Sequence, residues 1–196
     1  MKAETTRAAS LDLDGVTLPR QFPAKLVGVV RGLMNPGYIE SLPEEIAAFE
    51  RTMTTTPITG LTERISLEAH KRRHVPKRVH LFLQQQKDAG VVLYGNTGRT
   101  YNQAWVDMSQ ETLGDARDLF HDIFYTPEGV RTAVSKAAVL KDLAQQYHEV
   151  KHYEDDPRIA VYLARVVPEA KIYLLESGET GLLYSKKKIA PTINRL

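Results

Sequence analysis

Short apolar segments alternate along most of this 196-residue chain with longer stretches of helical periodicity, and this alternation constrains the fold more than any other feature. Ala8–Leu11, Val91–Tyr94, Ile123–Tyr125, Val150–Tyr153 and Lys171–Leu175 each have the length and composition of a strand. The spacing predicts helices over Thr62–Arg73, Val75–Ala89, Gln110–Phe120, Lys136–Tyr147 and Arg158–Val166, with Gly90 closing the second and Ser109 and Ser135 capping the third and fourth. Val139, Leu140 and Leu143 give one helix a core-facing stripe. Strand-then-helix order predicts an α/β protein with a parallel sheet covered on both faces.

In such a sheet, ligands bind beyond the C-terminal ends of the strands. Three strand ends carry polar residues suited to chemistry. Asp12-Leu13-Asp14-Gly15-Val16 follows the first, Gly95-Asn96-Thr97-Gly98-Arg99 the second, and Glu154-Asp155-Asp156-Pro157 a later one. Period-two alternation sends Asp12 and Asp14 to the same side, and two crowded carboxylates require a cation or a shared proton. Each motif also has a plain explanation as a turn, a helix cap, or acidic groups beside a helix N-terminus. A calcium loop is excluded, because its sixth position would be Thr17 in place of glycine and its twelfth Pro23 in place of glutamate.

The ordered set Asp12-Leu13-Asp14-Gly15-Val16, Thr97-Gly98-Arg99, Lys136 and Asp155-Asp156 resembles the four motifs of the haloacid dehalogenase superfamily, from residue 8 to about residue 185. A response-regulator receiver has similar residues but places its phosphoacceptor on a middle strand. The resemblance implies a Rossmann-like parallel sheet flanked by helices, formed by residues 1–24 and 76–196, with a small helical cap inserted at 25–75. Asp12 and Thr97 stand 85 positions apart, more than a flap and one helix require. Within the expected cap, Ser41-Leu42-Pro43-Glu44 has the form of a capping box, and Pro36-Gly37 and Thr59-Gly60 are candidate flexible points.

The resemblance further implies a magnesium-dependent phosphatase acting on a small phosphorylated substrate. Asp12 would be the nucleophile and Asp14 the general acid and base, with a pKa raised by crowding. Thr97, Gly98, Arg99 and Lys136 would bind the phosphoryl group, with Lys141 the competing lysine. Mg2+ would be held by Asp12, Asp14 through its carbonyl, and Asp155, with Asp156 as a further ligand or in exchange with Asp155; Glu154 is another outer candidate. The acid at position 14 separates the chain from carbon-halide hydrolases of the superfamily. A phosphomutase and a non-catalytic binding module stay as alternatives, as does a nucleic-acid end as substrate.

Composition narrows the rest. No apolar run approaches the roughly 20 residues of a spanning helix, cysteine is absent and net charge is +2, which together fit a cytoplasmic protein without an anionic polymer as obligatory partner. Lys71, Arg72, Arg73, Lys77 and Arg78, with His70, His74 and His80 around them, read first as a solvated helix face and junction, with steering of a phosphorylated substrate and contact with nucleic acid as alternatives. The sequence does not specify an oligomeric state.

Overall fold

A computed structural model describes residues 6–18, 67–68, 70–175 and 186–188, and the last three by backbone only. Their sheet has the order β3-β2-β1-β4-β5-β6. The first five strands run parallel: β1 (Arg7–Leu11), β2 (Val91–Thr100), β3 (Asp122–Thr126), β4 (Glu149–Glu154) and β5 (Ala170–Leu175). β6 (Lys186–Lys188) adds an antiparallel edge. Among the described residues, no helix is long and apolar enough to cross a membrane.

β1 lies in the middle, paired with β2 from Arg7↔Val91 to Leu11↔Gly95 and with β4 from Arg7↔Glu149 to Leu11↔Tyr153. Alternation divides its side chains between two cores. Ala9 and Leu11 join Val91 and Leu93 against Val79 and Leu83 of α1 (Lys77–Asp88). Ala8 joins Val92, Tyr94 and Val150 against α3 (Thr132–Gln146) and α4 (Pro157–Val166), through Ala137, Leu140, Ile159 and Leu163. Apolar area leaves water on both faces, and the central strand is buried almost throughout.

Three boundaries differ from the sequence expectation. β2 runs on to Thr100, because β3 keeps pairing with it: Thr97 faces Tyr125, and after an irregularity Thr100 faces Thr126. The third helix begins earlier, as α2 (Gln103–Leu113), because the Asn102 side chain accepts the Trp105 N–H at 3.0 Å. Ser109 lies inside that helix and donates to the Trp105 carbonyl at 2.8 Å, so its hydroxyl is satisfied without capping. Gly114 ends α2 and a 3-10 helix follows over Gly114–Leu119. Ser135 likewise falls in the first turn of α3, which starts at Thr132. Of the expected cap, backbone is helical at 67–68 and 70–71, while the capping box at Ser41 and the points at Pro36-Gly37 and Thr59-Gly60 lie outside the described residues.

Candidate active site

The site is built on β1 and β4, whose ends lie side by side. Past Leu11 the chain leaves extended geometry, yet the Asp12 N–H still reaches the Tyr153 carbonyl at 3.0 Å. The Asp12 carbonyl then accepts from the Thr17 N–H at 3.2 Å and the Thr17 hydroxyl at 3.0 Å, while the Leu18 N–H donates to Leu13 at 2.7 Å. This turn needs Gly15. Its φ is +99°, and a Cβ there would stand 1.8 Å from Asp155 Oδ2, so only glycine lets the turn close against the Asp155 carboxylate.

Because strand geometry stops at Leu11, Asp12 and Asp14 do not share one face or one counter-charge. Asp12 is buried and receives Lys136 Nζ on Oδ1 at 2.9 Å. The same ammonium donates to Glu154 Oε2 at 2.6 Å, so one cation answers two buried carboxylates. Asp155 brings a third: ligand oxygens of Asp12, Glu154 and Asp155 all lie within 4.8 Å of one another. Hard carboxylate oxygens gathered at this spacing, with a glycine cleared of side chain beside them, fit a small divalent cation.

Asp14 turns to a different set of cations. Arg99 grips its carboxylate in a fork, Nε to Oδ2 at 3.0 Å and a terminal nitrogen to Oδ1 at 2.9 Å, and donates its other terminal nitrogen to Ser109 at 2.7 Å. Arg73 pairs with Asp14 Oδ1 and sends its second terminal nitrogen to the Leu18 carbonyl at 2.8 Å. His70 Nε2 stands 3.7 Å from the same carboxylate oxygen. Trp105 underlies the group, 5.6 Å from the Arg99 guanidinium and edge-on to His70.

The two carboxylates therefore titrate in opposite directions. Burial pushes Asp12 up to about 7; Lys136 opposes the shift, and Glu154 and Asp14 add to it. Burial alone would also raise Asp14, but Arg99, then Arg73 and His70, overcome it and hold that carboxyl far below the ordinary range. This reverses the expectation of a raised Asp14: the crowding that matters is with guanidinium groups. Glu154 is held down against burial chiefly by Lys136, with His152 assisting. Burial would lower Lys136, but Asp12 and Glu154 outweigh it and raise its pKa.

The remaining expected residues are distributed as follows. Thr97 is buried in β2, its hydroxyl accepting the Arg99 N–H at 3.2 Å and its carbonyl accepting from the Thr126 hydroxyl at 3.0 Å. Gly98 lets α3 approach, since a Cβ there would meet Thr132 Cγ2 at 2.8 Å. That approach carries Lys136 into the core, one helical turn beyond Thr132, whereas Lys141 is exposed. Asp156, expected beside the metal, instead caps α4, accepting the Arg158 N–H at 2.9 Å and pairing with the Arg158 guanidinium at 2.8 Å. The described acidic cluster contains Glu154 in its place. Arg99, expected to bind substrate, has its donors on Asp14 and Ser109.

Arg73 is the residue the sequence reading missed. It looked like one charge of a solvated cluster, yet it is buried, while Arg72, His74 and Lys77 are exposed. Nothing local marks it, because its partner Asp14 is 59 positions away. Glu154 did carry a signal, as the last residue of a strand directly before Asp155-Asp156.

No protein-family model matches the chain, and no curated protein matches it in sequence. Similarity appears among solved structures, where it is one of fold. A chain of the Pnkp1/Rnl/Hen1 RNA repair complex superposes with a TM-score of 0.54 at 12% identity over 91% of this chain, which spans only 45% of that one. A HAD-family enzyme from Bacteroides thetaiotaomicron superposes at 0.53 and 13% identity over 89% of this chain and 96% of its own. An aspartate-to-alanine mutant of that enzyme, in complex with magnesium and inorganic phosphate, gives 0.53 at 10% identity over 92% and 98%.

Proposed function

We propose that this chain, whose fold is that of the haloacid dehalogenase enzymes, is a magnesium-dependent phosphatase that hydrolyses a phosphomonoester through an aspartyl phosphate on Asp12. The observation that carries the reading is the buried Lys136 ammonium shared by Asp12 and Glu154 at the C-terminal edge of a parallel sheet, with Asp155 completing an acidic cluster. The likeness in fold to a HAD-family enzyme captured with magnesium and inorganic phosphate supports it.

In this mechanism an Asp12 carboxylate oxygen attacks phosphorus, a P–O bond to the aspartate forms, and the bond to the leaving oxygen breaks. Lys136 holds Asp12 in position and offsets charge on the phosphoryl oxygens. Thr97, with backbone N–H groups near Gly98, orients those oxygens. Magnesium, held by Asp12 and Asp155 together with the Asp14 carbonyl, would supply further compensation for phosphoryl charge. Asp14, kept ionised by Arg99 and Arg73, has the charge state to take the proton from the water that cleaves the aspartyl phosphate and releases inorganic phosphate, but the pairing that lowers its pKa also makes it a weak base until a guanidinium withdraws. Protonating an alkoxide leaving group requires a different state, in which an anionic substrate draws a guanidinium away from Asp14. Residues 25–75 act as a cap that excludes bulk water and selects the substrate.

The test is release of inorganic phosphate from phosphorylated metabolites, nucleotides and 3′-phosphorylated oligonucleotides, with magnesium and with chelator. Magnesium-dependent release that Asp12→Asn abolishes is the expected result. Return of phosphate to the substrate would indicate a phosphomutase. No turnover together with no beryllium fluoride adduct at Asp12 would indicate a binding module.

A further inference from the structure

We propose that His152 is a positioning residue: with Ser10 behind it and Glu154 before it, it fixes the Glu154 carboxylate and so seats Lys136 against Asp12. Ser10 and His152 are paired neighbours on β1 and β4 and both are fully buried. Two residues further along come Asp12, just past the end of β1, and Glu154, the last residue of β4. Lys136 spans those two carboxylates, and His152 and Ser10 form the preceding rung, with Nδ1 3.0 Å from the serine hydroxyl and Nε2 3.4 Å from Glu154 Oε2.

Donor and acceptor roles follow from chemistry. An ionised carboxylate only accepts, so the hydrogen facing it belongs to Nε2. In the neutral ring Nδ1 is then an acceptor, and the Ser10 hydroxyl, which can donate, satisfies it. Glu154 is held at both oxygens: Oε1 accepts the N–H groups of Asp155 and Asp156, each at 3.1 Å, and Oε2 accepts Lys136 and His152. Turning the carboxylate breaks one of these bonds in a buried setting, where each is expensive to leave unmade. A leucine at position 152 would be just as apolar and buried, but it would leave Glu154 Oε2 with the lysine alone, free to follow it.

The inference rests on the phosphatase reading only for its kinetic consequence, and the experiment separates the two. Nitrogen-15 NMR of the histidine ring and of the Lys136 ammonium reads the link directly, without substrate or metal. The expected wild-type state has hydrogen on Nε2 of His152 and none on Nδ1; hydrogen on Nδ1 alone overturns the proposal. His152→Leu is expected to shift the Lys136 ammonium signal and, with magnesium, to lower kcat roughly tenfold to a hundredfold, the range typical of partners that orient metal-site ligands. KM should move little.

His152→Gln, whose amide nitrogen can still donate toward Glu154, is expected to restore most of both readouts, whereas His152→Asn is not. If the leucine variant does not fold, the glutamine and asparagine variants carry the comparison. Variants that fold with the Lys136 signal and kcat unchanged overturn the proposal. If wild type releases no phosphate, the phosphatase reading fails while the NMR arms still decide the positioning role.

Discussion

At the scale of single residues, the site is a problem of burying charge. Lys136 is buried, as are its two carboxylate partners, Glu154 as fully as the lysine and Asp12 slightly less so. Lys136→Met is therefore expected to destabilise the fold by about 3–5 kcal/mol, because it leaves Asp12 and Glu154 facing each other without their cation; urea denaturation measures this, and a loss below about 1 kcal/mol would contradict it. Asp12 adds a pH signature. Its folded pKa, about 7 against an ordinary 3.8, means the folded protein keeps a proton that the unfolded chain releases. Its contribution is fully present below the unfolded value and is lost as pH rises through about 7, so the metal-free protein should lose stability over that window. Asp12→Asn should flatten the slope in melting scans taken from pH 5 to pH 8.

At the scale of elements, the loop after β1 is fixed from two sides. Gly15 lies against Asp155 with a backbone that L-residues rarely adopt, so Gly15→Ala should displace the Asp155 carboxylate and abolish magnesium-dependent phosphate release while lowering the melting temperature. Normal activity in that variant would refute the packing argument. Arg73 ties the chain just after the 67–71 helical stretch to the Leu18 carbonyl and Asp14, residues more than 50 positions earlier in the sequence. Arg73→Ala is expected to cost about 1–3 kcal/mol, by leaving a buried carbonyl and a carboxylate short of a donor. Arg73→Lys should recover only part of this, since an ammonium cannot span both acceptors as the guanidinium fork does. An Arg73→Lys variant as stable as wild type would show that charge alone is what Arg73 supplies.

At the scale of the molecule, a parallel sheet with helices on both sides brings five strand ends to one edge, and the acidic cluster forms where β1 and β4 adjoin. A ligand bound only by the folded protein stabilises it by mass action, about 2.7 kcal/mol at a hundredfold excess over Kd. Magnesium is thus expected to raise the melting temperature of wild type, and Asp155→Asn to remove most of that rise without unfolding the apo protein. An undiminished rise in the variant would place the metal elsewhere.

The sequence by itself determined the alternation of strands and helices and the strand-end positions of Asp12 and Asp155, because these depend on local periodicity and on composition; it ended β2 at Tyr94, and so set Thr97 beyond a strand that in fact runs on to Thr100. It misplaced the starts of α2 and α3, where serines satisfied by helix carbonyls or lying in the first turn resembled caps. Tertiary structure decided the rest through side chains distant in sequence. It buried Lys136 between Asp12 and Glu154 while leaving Lys141 exposed, sent Asp156 to a helix start, and put Glu154 into the acidic cluster. It also set Asp14 between Arg99 and Arg73, so that two carboxylates one residue apart acquired opposite pKa shifts. No local pattern encodes that difference, since the field at each carboxylate comes from cations contributed by separate elements of the chain.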